Sequence, residues 1–313
     1  KLSGFLAGKY DFYAFYNRAD FYDLFGPTKR SRKGIHIGFE HNQSLIYDNP
    51  RNLDLNLGAS AYYGLDQSPA FQQINFPDQD FNSNIFYNMY TSLSYRNLKG
   101  SVGAVDAEKG IKSSLTLANT VTNERFFPRI YGTLDLGFQL PVDHTSFWIR
   151  NAFGNSFSKD FNPFTRFGFA SFGNNYIDNA SSKMYRESFS FAGLSYDSEK
   201  SIIAKSFVKS TLELVLPPVR YRNFGFFNLF ATHSHATIFA GGLFINNYET
   251  TTDVNQDSKI KYSESFRNIG FQVDTKLVMF SHLSSTFSFG WARAFEVGND
   301  NKSYDEWMIS LKF

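Results

Sequence analysis

The chain of 313 residues is 42% hydrophobic and 19% aromatic, with a formal net charge of +2 and no cysteine. So small a charge offers nothing to a nucleic-acid polyanion, and the absence of cysteine excludes disulfide frameworks, thiolate metal sites and cysteine nucleophiles. No window reaches the roughly 18 consecutive apolar residues of a spanning helix, whereas thirty-seven Phe and eighteen Tyr favour strands.

Strands are predicted in chain order over 4–16, 33–46, 51–65, 84–105, 109–121, 128–140 and 144–155. After a long insertion at 156–203 they resume over 204–216, 223–246, 263–278, 283–296 and 303–313. The chain opens on Lys1-Leu2-Ser3-Gly4-Phe5, which already reads as strand rather than as a signal peptide. The expectation is a mature chain or a fragment; an upstream soluble domain has either been removed or was never part of it.

Period-two alternation carries these assignments. Leu53, Leu55, Leu57 and Ala59 oppose Asn52, Asp54, Asn56 and Ser60, and Ile130, Leu134, Leu136 and Phe138 oppose Tyr131, Thr133 and Asp135. Ile269, Phe271, Val273 and Leu277 oppose Asn268, Gln272, Asp274 and Lys276. At the end of the chain, Trp307, Ile309, Leu311 and Phe313 oppose Met308, Ser310 and Lys312.

Soluble sandwiches alternate as well, but their strands run to about 5–6 residues, while most of these reach 11 or more. The polar side also bears Asp, Lys and Arg at mid-strand, as a wet lumen allows. The predicted fold is therefore all-β, a transmembrane antiparallel barrel in a single domain spanning 1–313. The working count is twelve strands; a break at Arg96–Gly100 makes fourteen, and sixteen is open.

Short connections at Asp48-Asn49-Pro50, 106–110, Pro141-Val142-Asp143, Pro217-Pro218 and Ser281-His282 interleave with long ones at 17–32, 66–83, 156–203, 247–262 and 297–302. This places both termini on the periplasmic side. Tyr47, Tyr63, Phe153, Trp307 and Phe313 read as interfacial girdle residues.

Chemistry-bearing residues are sparse. His233 and His235 share a strand face without a third ligand nearby, so no metal site is expected. Asp78, Asp80, Asp253 and Asp257 read as solvated loop acids. Ser234 lies beside both histidines but points to the opposite face, and no Gly-x-Ser-x-Gly elbow occurs. Neither catalysis nor a cofactor is expected.

From about Asp106 onward the sequence resembles the barrel of the bacterial surface antigen superfamily, which includes the BamA-type outer-membrane insertases and the two-partner secretion transporters. The resemblance rests on an ordered set of features. These are the turn Asp106 to Gly110, Gln139-Leu140-Pro141-Val142-Asp143, Asn151-Ala152-Phe153-Gly154, Phe169-Ala170-Ser171-Phe172-Gly173, Tyr185-Arg186-Glu187, Ser210 to Pro217 and the terminal Phe313. Asp20 to Lys29 and Gly173-Asn174-Asn175-Tyr176 look like segments of those superfamily barrels that follow a periplasmic β-propeller.

The resemblance implies that loop 156–203 folds into the lumen. Arg186 at its tip would be latched to Glu213, with Phe230 and Thr232 on the neighbouring wall and Trp307, Ile309, Leu311 and Phe313 forming an assembly signal. Leu212, Leu214 and Leu216 share the apolar side, which turns Lys209, Thr211 and Glu213 inward. Two departures stand out: Glu187 follows the tip arginine where the family has Gly, and Phe230-Ala231-Thr232-His233-Ser234 lacks the family's acid.

The function so implied is insertion or translocation of protein or lipid at the outer membrane, with membrane lipid and other envelope proteins as partners. A non-catalytic anchor or scaffold and a plugged channel are the alternatives.

Overall fold

The structure, a computed structural model, describes residues 8–16, 34–64, 85–122, 125–158, 165–169, 177–178, 186, 188–194, 202–253, 256–280, 282–298 and 302–312. Its strands are β1 (Lys9–Tyr16), β2 (Ile35–Asp48), β3 (Arg51–Tyr63), β4 (Ile85–Lys99), β5 (Lys109–Thr122), β6 (Arg125–Gln139), β7 (Ser146–Ser156), β8 (Phe167–Phe169), β9 (Ile177–Asp178), β10 (Ile202–Ala204), β11 (Ser206–Val215), β12 (Val219–Phe226), β13 (Leu229–Asp253), β14 (Gln256–Met279), β15 (Leu283–Glu296) and β16 (Ser303–Lys312). No α-helix occurs among the described residues.

One sheet of fourteen strands runs β1-β2-β3-β4-β5-β6-β7-β11-β13-β14-β15-β16-β9, with β12 also on β13, and β8 and β10 form a separate pair. Every pairing is antiparallel except that of β16 with β9, where Leu311 and Lys312 meet Ile177 and Asp178 in parallel. Among the described residues β1 pairs with β2 alone, so the sheet is not closed on itself.

The polarity of the sheet is inverted relative to a water-soluble protein. In β11, Lys209, Thr211 and Glu213 are buried while Val208 and Leu212 are exposed. In β14, Asn268, Gln272 and Asp274 are buried and Ile269 is exposed, and β6 exposes Phe126, Leu134 and Phe138. The sheet also curves. Strands β5 and β13 are separated by β6, β7 and β11, about 19 Å if laid flat at ~4.8 Å per strand. Yet Asp106, just before β5, lies 3.3 Å from His235 of β13.

Several boundaries differ from the sequence expectation. Pro217-Pro218 is not a hairpin turn. Val215 pairs with Thr237, and β12 then continues along the same edge of β13, from Val219 against Ser234 to Phe226 against Leu229. Proline removes ladder donors without reversing the chain; the reversal comes at Phe227, whose φ is 52°. The predicted strand 223–246 is therefore divided between β12 and β13.

The predicted loop 247–262 is mostly hairpin, because β13 and β14 pair out to Asp253 and Gln256. The three consecutive β-branched residues Thr250 to Thr252 suit such an extension. Segment 84–105 yields a single strand, β4, which ends at Lys99 within Arg96–Gly100, and no second strand follows before β5. The turn after it spans 100–108 rather than 106–110. Loops 17–32 and 66–83, which include Asp20 to Lys29, Asp78 and Asp80, lie outside the described residues.

Candidate functional site

Glu213 is the centre of the inner face: it is fully buried, and two guanidinium groups converge on it. Arg150 donates from Nε to Oε2 at 2.6 Å and from Nη2 to Oε1 at 3.4 Å. Arg186 donates from Nε to Oε2 at 3.0 Å and from Nη2 to Oε1. Arg150 also donates from Nη1 to Asp135 Oδ2 at 2.9 Å, which gives two acids and two arginines with no net charge.

Local geometry places Arg150. Strand pairing sets Asp135 and Thr211 on either side of it, and its guanidinium lies 4.6 Å above the Trp148 ring. That ring lies flat over Gly137, where a Cβ would come within 2.5 Å of it. A glycine in this strand is thus a seat for the indole. Arg150 has no counterpart among the sequence-predicted site residues. Its inward parity and its register beside Asp135 are visible only once the strands are paired.

From Arg186 the chain runs across the inner wall as a strap. Lys209 Nζ donates to Ser190 O at 2.8 Å, Asn268 Nδ2 to Ala192 O at 2.7 Å, and Gly193 N to Glu306 Oε2 at 2.9 Å. Ser190, Ala192 and Gly193 are thereby tied in turn to β11, β14 and β16. Phe191 and Leu194 enter an apolar cluster with Phe167, Phe169, Phe207 and Leu243. Room for the strap comes from small residues of β15, Ala292 and Ala294, both fully buried.

Towards the tight-turn end, the interior opens into a cavity of about 760 Å³ lined by charged side chains from β5, β6, β7, β13, β14 and β16. The turn 100–108 covers part of it. Glu108, itself buried, accepts from Ser101 N at 2.8 Å and sits 2.8 Å from His144 Nδ1, while Gly103 O accepts from Arg220.

Burial opposes ionisation of Glu108, but the hydrogen bonds from Ser101 and His144 outweigh it and hold the carboxyl below its ordinary range. A depressed folded-state value stabilises at pH above the ordinary carboxylate range and is lost as pH falls through the lowered one. Glu108→Gln is therefore expected to flatten the acid limb of the stability–pH curve. Parallel acid limbs for variant and wild type would rule out that coupling.

Of the residues singled out from sequence, Arg186 and Glu213 are in contact. Phe230 and Thr232 lie elsewhere. Glu213 pairs with Phe239 of β13, while Phe230 pairs with Val278 and Thr232 sits in a bulge near Lys276 O. Both are at the tight-turn end of β13, nine and seven positions before Phe239. Trp307 and Ile309 are exposed on the outward face, and Leu311 has the same parity. Phe313 lies outside the described residues, as do Tyr185 and Glu187.

Tyr47, Tyr63 and Phe153 are exposed. Ser234 bonds to Thr275 Oγ1 at 2.7 Å and accepts from Tyr221, on the face opposite His233 and His235. At the turn cap, Ser101 Oγ and Glu108 both face His144 Nδ1. A proton relay needs the hydroxyl and the acid on opposite ring nitrogens. No group of three or more metal-ligating side chains occurs among the described residues. The chain matches no protein-family model and no curated protein sequence.

Proposed function

We propose that this chain is a transmembrane β-barrel of the bacterial outer membrane that inserts or translocates polypeptide or lipid. Twelve long strands form its wall when β9 is set aside and β12 is counted with β11, with both termini periplasmic. Lipid contact is supported by the outward positions of β14. From Ile269 to Met279 they cover about 33 Å along the strand, or about 25 Å across a membrane at a tilt of roughly 40°. The apolar band stops where Arg293 meets Asp305 on the neighbouring strands, at 2.8 Å.

The observation that carries the insertion reading is the seam. Among the described residues β16 meets two residues of the loop 156–203 and β1 pairs with β2 alone; an edge left unpaired in hydrocarbon is costly, so it readily accepts an incoming strand or disturbs the bilayer.

The test places cysteine pairs in Lys9–Tyr16 and Ser303–Lys312 and follows insertion of a test barrel into proteoliposomes. Reduced protein is expected to accelerate insertion and disulfide-locked protein to lose the effect. Equal rates in the two states would overturn the reading. A chain that stays monomeric and β-rich without detergent would remove its membrane premise.

The strap's polar ties favour one second reading, a static anchor for other envelope proteins. An anchor tolerates the lock and retains its partner.

A further inference from the structure

We propose that the inner face of β2 to β6 carries a binding site for a neutral saccharide, built from one row of amides and hydroxyls beside a tyrosine platform. The inference goes beyond the insertase reading and stands on the geometry of the inner wall.

The row follows from register. Asn42 pairs with Asn56, Asn56 with Ser92, Ser92 with Thr116, and Thr116 with Tyr131. Directly paired residues share a face of the sheet. Tyr131 fixes which face, since its ring centre lies 5.6 Å from that of Phe189 on the strap. Five adjacent strands thus turn two carboxamides, two hydroxyls and a phenol into the lumen. With Tyr90 they line a recess of about 390 Å³, within the roughly 300–1,000 Å³ of small-molecule sites.

Tyr90 is the platform. It stands in the next row toward the long-loop end, opposite Gly58, and its ring lies on that glycine. A Cβ at Gly58 would come within 2.1 Å of Cε1 and 2.5 Å of Cζ. The glycine lets one face of the ring rest on the wall, which leaves the other to the lumen. The Tyr90 hydroxyl is tied to Glu40, which also accepts from Tyr13 at 3.5 Å. The ring is therefore held in place before any ligand arrives.

The chemistry of the lining selects the ligand. None of the six residues is charged, so an ionic ligand finds no counter-charge among them. A lipid chain or the apolar side chains of a polypeptide find no apolar pocket. A saccharide ring matches both parts of the site. Its C–H face stacks on the negative π face of a tyrosine, and its hydroxyls donate and accept, as carboxamides and side-chain hydroxyls do. Among the described residues Asn42 and Asn56 make no side-chain hydrogen bond. Ser92 and Thr116 share one, at 2.9 Å, which leaves one hydroxyl proton of the pair to give.

The test uses the folded chain in phosphatidylcholine nanodiscs, titrated calorimetrically with maltohexaose, cellohexaose and chitohexaose. Sorbitol, a polyol without a ring face, and an uncharged Gly-Ser peptide are titrated for comparison. At least one hexasaccharide is expected to bind more tightly than sorbitol or the peptide. Tyr90→Ala should weaken that binding about tenfold, whereas Tyr90→Phe keeps the ring and should stay within about threefold of wild type. Gly58→Ala should weaken it as well, because the added methyl pushes the ring off its seat. Asn42→Ala and Asn56→Ala should each cost about two- to tenfold, as loss of one hydrogen bond predicts. Arg267→Gln, on the exposed outward face, should leave binding unchanged.

The two asparagine variants remove no hydrogen bond among the described residues, so the test survives a Tyr90→Ala that fails to fold. Three results would each overturn the proposal. One is failure of all three hexasaccharides to bind, and another is tighter binding of the peptide. The third is saccharide binding that is unchanged in both Asn56→Ala and Gly58→Ala.

Discussion

Replacing Glu213 with alanine is expected to destabilise the folded chain by about 3–5 kcal/mol, the range for removing one partner of a buried ion pair. The variant leaves Arg150 and Arg186 facing each other, with Asp135 bonded to Arg150. Arg186→Ala should cost less, since Arg150 still neutralises Glu213 from Nε at 2.6 Å. The two substitutions together should be less damaging than the sum of their separate effects, because the second removes the charge that the first strands. Urea unfolding in micelles, followed by tryptophan fluorescence, reads this directly, since Trp148 lies beneath Arg150. An unchanged midpoint for Glu213→Ala would show that this carboxylate is not a structural tie.

A second large effect is expected at Gly193. Its φ is 97°, and a Cβ there would meet Ala294 N at 2.7 Å and the Arg293 carbonyl carbon at 2.9 Å. Gly193→Val combines left-handed strain of about 1–2 kcal/mol with a clash against the backbone of β15. It also costs Glu306, which is buried, the hydrogen bond from Gly193 N, worth a further 1–3 kcal/mol or so. The strap should lift from the wall and expose Arg186 to trypsin. Cleavage after Arg186 should be fast in Gly193→Val and slow in wild type; equal rates would show that the strap is not held through this glycine.

Much of the wall was legible in the residues because a strand with one apolar and one polar side has a period of two, whatever it packs against. Leu212 beside Glu213, or Ile269 beside Asn268, announces two faces without any tertiary information. The inversion of those faces was legible too, since Asp135, Lys209 and Asp274 at mid-strand have no place in a soluble core.

Turn ends were less legible. Pro217-Pro218 signals an interruption of pairing, yet whether the chain then reverses depends on what the next residues pair with. Here they pair with the same edge of β13. The hairpin out to Asp253 and Gln256 likewise reads as loop from its polarity alone.

Alternation in the residues shows that this chain builds long strands with a polar and an apolar side and turns Glu213 inward, whereas the placing of Arg186 against it was only what the family resemblance implied. The first was legible because alternation and charge are local properties. Only the tertiary structure decided that Arg150 completes the pair, that the strap crosses to β14 and β16, and that Asn42, Asn56, Ser92, Thr116 and Tyr131 form one row. Those juxtapositions join residues up to 113 positions apart through cross-strand register and curvature, which no local pattern encodes.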